Sequence, residues 1–429
     1  MSPDVSVDDL LGFLAAGTSP YHAVAEVAAR LDAAGFTQVD LAEPWSPAGL
    51  GYVVRGGAII AWALPPGTEP WTPFRLVGAH TDSPNLRLKP HPDLHRAGWA
   101  QLGVEVYGGA LWNSWLDRDL GLSGRLAVAD GSDRLREVLV RVDEPLCRIP
   151  QLAIHLDRGV NEAGLKLDPQ VHLTPVWGAG PAARSDVVAF LAGRAGVRPG
   201  QVLGWDVMLH DLTPPSRLGG LGELISAARL DNLVSCWAAT TALVGTTTAP
   251  EPGRHASVVS LFDHEEVGST TATGADGALL EHVLERLVSA RGGSRDDLLR
   301  AYAGSVCASA DMAHATHPNY PERHDLAHPV VVGGGPVVKV NASQRYATDA
   351  TTAAVFVQAC ERAGIPHQAF VSRNDQPCGS TIGPLTAARL GIATVDVGVP
   401  QLSMHSAREL CGAEDPIWFA RALGAFLQG

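Results

Sequence analysis

Residues 258–270 constrain the chain more than any other stretch. Val258-Val259-Ser260-Leu261-Phe262 is an apolar, β-prone run that stops abruptly at Asp263-His264-Glu265-Glu266, with Gly268 soon after. A buried strand that delivers ionisable groups at its carboxyl end is how open α/β sheets build ligand sites. Side chains of adjacent residues diverge at a strand end, so of Glu265 and Glu266 one can bind a metal while the other reaches a water. Taken alone, the four ionisable residues read more simply as a solvated loop tip, and the decision falls to the rest of the chain.

At 429 residues, with 46% hydrophobic and 18% charged, the chain is expected to bury two well-packed domains. A formal charge of -13, unrelieved by any Lys/Arg-rich block, argues against nucleic acid or an anionic membrane as partner. Cys147, Cys236, Cys307, Cys360, Cys378 and Cys411 are scattered without a CxxC pair, and no charged-then-apolar leader opens the sequence, so a reducing cytoplasm is expected. No apolar run approaches the roughly 20 residues needed to cross a bilayer.

Residues 7–14 and 21–31 have helical spacing, the second helix opened by Ser19 as cap and Pro20 as first residue. Residues 57–64 and 74–79 read as strands, and the latter runs into His80-Thr81-Asp82. A histidine that binds metal commonly has a carboxylate partner that fixes its tautomer, and Asp82 points to the same face if the extended chain continues. From 91 to 220 the texture changes to short strands at 102–107, 125–129 and 138–142 between Gly, Pro and Asp turns, with one helix at 186–195, which suggests an inserted domain. Trp99, Trp112, Trp115, Trp177 and Trp205 lie in it, fitting either an aromatic core or a subunit interface. There His155 sits among apolar residues in a strand-like run.

Asp231 precedes a helical pattern at 234–244, where it would serve as an N-cap or, at such a junction, use both oxygens to bridge two cations. A helix at 276–290 follows, then a strand leading to Asp311 and His314, which share one side of a turn. Lys339 lies in a valine-rich strand, ahead of Tyr346 and a helix at 349–363. A Gly-rich turn at 378–383, a helix at 384–390 and a strand at 394–399 lead to the loop of His405, and a helix at 416–427 closes the chain. His80, Asp231, Glu266, Asp311 and His405 each follow a strand or open a helix, and Glu265 is left over as a base. Two Zn²⁺ ions about 3.5–4 Å apart, bridged by one carboxylate, need such a ligand set.

In order, His80-Thr81-Asp82-Ser83-Pro84, Arg229-Leu230-Asp231-Asn232, Asp263-His264-Glu265-Glu266-Val267-Gly268-Ser269, Ser309-Ala310-Asp311-Met312-Ala313-His314 and Ser403-Met404-His405-Ser406-Ala407-Arg408-Glu409 resemble the motifs of the M18 aminopeptidases, the aspartyl aminopeptidase family. The likeness spans nearly the whole chain. It implies an α/β fold, with a zinc-exopeptidase-type three-layer α/β/α catalytic domain over 1–90 and 221–429, interrupted by a β-rich dimerisation domain over 91–220. It further implies that Asp231 bridges two Zn²⁺ per subunit, that His80 with Asp311 and Glu266 with His405 complete the two sites, and that Glu265 shuttles protons beside a supporting Asp82. One site would accept Mn²⁺ or Co²⁺, since carboxylate-rich sites are permissive.

By the same resemblance His314, Lys339 and Tyr346 contact substrate, and His155 reaches the neighbouring subunit's active site, touching substrate or a metal. Substrates would be short peptides with a free N-terminus, acidic at the first residue, and the chain a homo-oligomer of dimers assembling to a tetrahedral dodecamer. Two rivals predict different chemistry. A two-metal deacylase or carboxypeptidase of this fold would need a pocket for a free carboxylate or cleave blocked N-termini, and a catalytically silent assembly subunit would hydrolyse nothing even with zinc restored.

Overall fold

The computed structural model describes residues 5–46, 49–131, 133–180, 186–248 and 254–429. Nine strands form one mixed sheet in the order Thr37–Gln38, Leu50–Arg55, Ala58–Ala63, Ala256–Phe262, Phe74–His80, Val306–Ala310, Ala393–Gly398, Val337–Val340 and Gln368–Val371. At its centre Phe74–His80 runs parallel to both neighbours, with Phe262 opposite His80 and Ser309 opposite Gly78. Three chain segments therefore leave the sheet at one edge, and the residues that follow them emerge side by side.

Helices cover both faces, which is why the central strands Ala256–Phe262 and Phe74–His80 are almost wholly buried and mostly apolar. Alternate residues take opposite sides. Val77, Ala79, Val259, Leu261 and Ala308 share a core with helices Val7–Ala16, Pro20–Ala33, Leu230–Thr246, Ala350–Ala363 and Asp415–Gln428. Phe74, Leu76, Val258 and Cys307 share the other with Leu279–Ala290, Arg295–Gly304 and Ile382–Leu390. This is the expected three-layer α/β/α arrangement. Every residue over 230–244 is buried, so truncating Trp237 to Ala would cost about 3–5 kcal/mol.

A six-stranded antiparallel sheet interrupts this unit, in the order Leu135–Cys147, Leu120–Ala129, Val202–Asp211, Asn85–Arg96, Trp99–Tyr107 and Val176–Ala179. Its core holds Leu122, Leu126, Val140 and Leu209. A cut at residue 91 passes through its strand Asn85–Arg96, because the sequence texture changes at a register shift between Leu88 and Asp93, where Pro90 and Pro92 cannot donate to the ladder. Trp115 is buried in this core and Trp112, Trp177 and Trp205 pack against it, while Trp99 is exposed, so the tryptophans serve mostly as aromatic core.

A third sheet of Ser216–Leu218, Leu224–Ala227, Glu409–Gly412, Pro400–Leu402 and Ala313–His314 flanks the carboxyl edge of the large one. It carries the His405 loop between two of its strands and feeds Leu224–Ala227 into Asp231. Among the described residues no helix is long and apolar enough to cross a membrane, and the six cysteines are free.

Candidate metal centre

His80 ends its strand, Glu265 and Glu266 occupy the turn after Ala256–Phe262, and Asp311 follows Val306–Ala310. Asp231 lies at the entry of Leu230–Thr246 with φ -79° and ψ 104°, outside helical geometry, and no side chain caps that helix. Its carboxylate is thereby released from the capping role and turned to the site. The Asp231–Asn232 peptide is cis.

These residues converge. His80 Nε2 is 3.4 Å from Asp231 Oδ1 and 3.5 Å from Asp311 Oδ1, while His405 Nε2 is 3.4 Å from both Asp231 Oδ2 and Glu266 Oε2. Asp231 thus presents one oxygen to each histidine. Glu265 Oε2 stands further out, 4.0 Å from His80 Nε2. Three donor triplets fit within a coordination sphere: His80, Asp231 and Asp311; Asp231, Glu266 and His405; and His80 with Glu265 and Glu266. The third overlaps the other two, and its longer reach to Glu265 makes it the weakest.

The donor set fits zinc. It is all imidazole and carboxylate, and ligands at about 2.0–2.1 Å in a tetrahedron lie about 3.3 Å from one another. Asp231 Oδ1 and Glu266 Oε1 are buried with no hydrogen-bond partner in the protein, as oxygens reserved for a cation would be. Electrostatics agree. Burial would push the His80 imidazole down, but Asp231, Asp311 and Asp82 outweigh it and hold the ring well above its usual range. Burial likewise opposes, and Asp231 and Glu266 reverse, the shift that takes His405 up to about 10. Burial together with neighbouring carboxylates raises Glu265 to about 7 and Glu266 well above the usual range. Too many carboxylates face too few cations, a surplus that divalent ions would neutralise.

Surrounding groups fix the donors. His80 Nδ1 donates to the Asp82 carbonyl at 3.0 Å, which turns Nε2 inward. The fully buried Asp82 carboxylate accepts from the backbone N–H of Glu265 and of Glu266, each at 3.1 Å. Glu409, quoted at the end of the His405 motif without a role, accepts from Asp231 N at 2.9 Å and His405 N at 2.7 Å. His405 has φ 67°, a conformation costing of order 1–3 kcal/mol that this contact helps to maintain. Nothing in the one-dimensional spacing singles out Glu409; the signal is its burial beside two candidate ligands.

The other expected residues divide. Lys339 is 2% exposed, and its Nζ donates to Met312 O at 2.9 Å and lies 3.5 Å from Asp311 Oδ2. The ammonium also stands over the buried Tyr346 ring, 5.3 Å from its centroid. His314 is exposed, and Phe370, which sequence reasoning missed, contacts both His314 and Tyr346. Together they form one wall beside Asp311. His155 does not join the group. The strand-like run expected around it is an exposed turn with Leu152, Ile154 and Leu156 also exposed, because these apolar side chains project outward instead of pairing in the sheet.

A sequence profile described as Aminopeptidase I zinc metalloprotease (M18) matches residues 13–427. The chain is 58% identical over 423 residues to the probable M18 family aminopeptidase 2 of Streptomyces coelicolor, covering 98% of this chain and 97% of that one. Its fold matches Ape4, solved by cryo-EM in complex with Nbr1, with a TM-score of 0.94, 35% identity and coverage of 99% of this chain and 85% of that one. The S. cerevisiae mApe1 dodecamer matches with a TM-score of 0.85 and 29% identity, covering 98% of this chain and 95% of that one.

Proposed function

The chain belongs to the M18 family of aminopeptidases, peptide hydrolases that are zinc metalloproteases, and from that premise we propose a two-zinc centre that releases single N-terminal residues from short peptides. The supporting observation is the position of Asp231, one oxygen 3.4 Å from His80 Nε2 and the other 3.4 Å from His405 Nε2. Asp231 would bridge, His80 with Asp311 holding one ion and Glu266 with His405 the other. Bound zinc supplies Lewis acidity and a water of lowered pKa, and one site would accept Mn²⁺ or Co²⁺ in its place.

Glu265 stands close enough to the ligands to take the proton of the attacking water and pass it to the leaving amine nitrogen. Asp82 fixes the backbone from which Glu265 projects by accepting its N–H. His314 lines the wall against which the first side chain would lie, with Tyr346 buried behind it. Lys339 supplies positive charge behind that wall and with it a preference for Asp or Glu.

Residues 91–220, with the strand that opens at Asn85, form a dimerisation unit in this reading, and the rest of 1–90 with 221–429 the catalytic unit. The exposed turn would bring His155 into the neighbouring subunit's site. Since a yeast relative was solved as a dodecamer, we propose dimers assembling to a tetrahedral dodecamer in the cytoplasm. The test is a panel of free and N-acetylated peptides with varied first residues, given to zinc-reconstituted protein. Free Asp- and Glu-peptides are expected to turn over fastest; cleavage of acetylated peptides alone would replace this reading with a deacylase.

A further inference from the structure

We propose that residues 107–109, where the strand Trp99–Tyr107 of the inserted sheet ends, are positioning residues that hold both halves of the metal centre in register. The inference rests on the two-zinc reading and assigns the insert a task beyond joining subunits.

Tyr107 acts on the first half. Its hydroxyl donates to Asp82 Oδ2 at 2.6 Å. The Asp82 carboxylate receives the Glu265 and Glu266 N–H groups and lies 3.4 Å from His80 Nδ1, which donates to the Asp82 backbone carbonyl. Without that hydroxyl Asp82 would lose a short, charge-assisted hydrogen bond and gain freedom to rotate. The ring is itself held, since the Arg87 guanidinium stacks 3.7 Å from its centroid. Arg87 Nε and Nη2 are buried without hydrogen-bond partners, so stacking is what keeps that side chain in place.

Gly108 and Gly109 act on the second half. Gly109 O accepts from His405 Nδ1 at 3.1 Å, which leaves Nε2 facing Asp231 and Glu266. Gly108 has φ +70°, and a Cβ there would lie 3.1 Å from Glu266 Cβ, so a side chain at this position would strain the backbone and press on Glu266. Beyond it the loop is stitched to the same motif: Leu111 N donates to His405 O at 3.0 Å, and Ala407 N to Ser114 Oγ at 2.8 Å. A single passage of chain thus touches Asp82, Glu266 and His405.

The test measures zinc affinity by competition with a chromophoric chelator, alongside kcat and KM. Tyr107→Phe keeps the ring beneath Arg87 and removes only the hydroxyl. It is expected to leave the melting temperature of the metal-free protein near wild type, weaken zinc binding about 10–100-fold and lower kcat with KM little changed. Gly108→Ala retains the hydroxyl and is expected to weaken zinc through the other half; it decides the matter should Tyr107→Phe fail to fold. Glu105→Gln, exposed on the same strand, should bind zinc as wild type does. Wild-type zinc affinity in both Tyr107→Phe and Gly108→Ala would overturn the inference. Wild-type protein that binds no zinc would instead sink the two-zinc reading, and that arm is measured first.

Discussion

The two histidines of the centre lie at different depths: the His80 side chain is 1% exposed and that of His405 30%, while the carboxylates beside them, Asp311 and Glu266, are 12% and 4% exposed. The deep half is made by adjoining strand ends of the large sheet, backed by Lys339 and by Cys236, whose Sγ lies 2.9 Å from His80 O. The open half joins Glu266, in the turn after Ala256–Phe262, to the 403–409 turn, which is held by Glu409 and by a glycine carbonyl of the insert. Depth decides what each half can do. A buried imidazole among carboxylates is costly to leave unpaired, so the deep half is expected to support folding as well as metal, while the open half reaches solvent through His405.

Asp231 belongs to both halves, so the largest effect is expected there. Asp231→Ala should remove both ions and abolish hydrolysis, as elemental analysis and a peptide assay would report; retention of one tightly held ion would mean that the halves are independent. The next contrast sharpens the difference in depth. His405→Ala should keep one zinc per chain and melt near wild type, whereas His80→Ala should lose zinc and also melt several degrees lower. Equal melting of the two variants would erase the distinction.

Glu265→Gln tests whether the residue between the halves is a ligand or a base. It should retain both ions while kcat falls about 10²–10⁴-fold. Loss of an ion instead would promote the His80, Glu265 and Glu266 triplet to a real site. Glu409→Gln sets an amide against the Asp231 and His405 N–H groups and should weaken zinc about 10–100-fold in a chelator titration, with the open half released first. Smallest is Lys339→Ala. It should narrow the ratio of Asp- to Leu-peptide turnover; an unchanged ratio would make Lys339 a support for Asp311 alone.

Much of this was legible because the large sheet is buried on both faces. Uninterrupted apolar runs ending in His80 and in Asp263-His264-Glu265-Glu266 can hardly be anything but strand ends, and the helices over 349–363 and 416–427 carry clear periodicity. Less visible was anything that depends on contacts between distant segments. Glu409 and Tyr107 reach their partners across 178 and 25 residues, and nothing local distinguishes them from ordinary strand residues. In the Asn85–Arg96 strand two prolines disguise a bulge as a domain boundary. The start of helix Arg295–Gly304 is signalled locally, by Ser294 and Asp297 capping it reciprocally. Around His155 the alternation of apolar residues imitates a strand, but the pattern serves an outward-facing turn.

The claim on which the account depends is that Asp231 stands between two ions. Anomalous scattering at the zinc edge from crystals of the reconstituted protein addresses it directly. Two peaks about 3.5–4 Å apart, one beside His80 and Asp311 and the other beside Glu266 and His405, are predicted. A single peak at full zinc loading, or a pair without Asp231 between them, would contradict it.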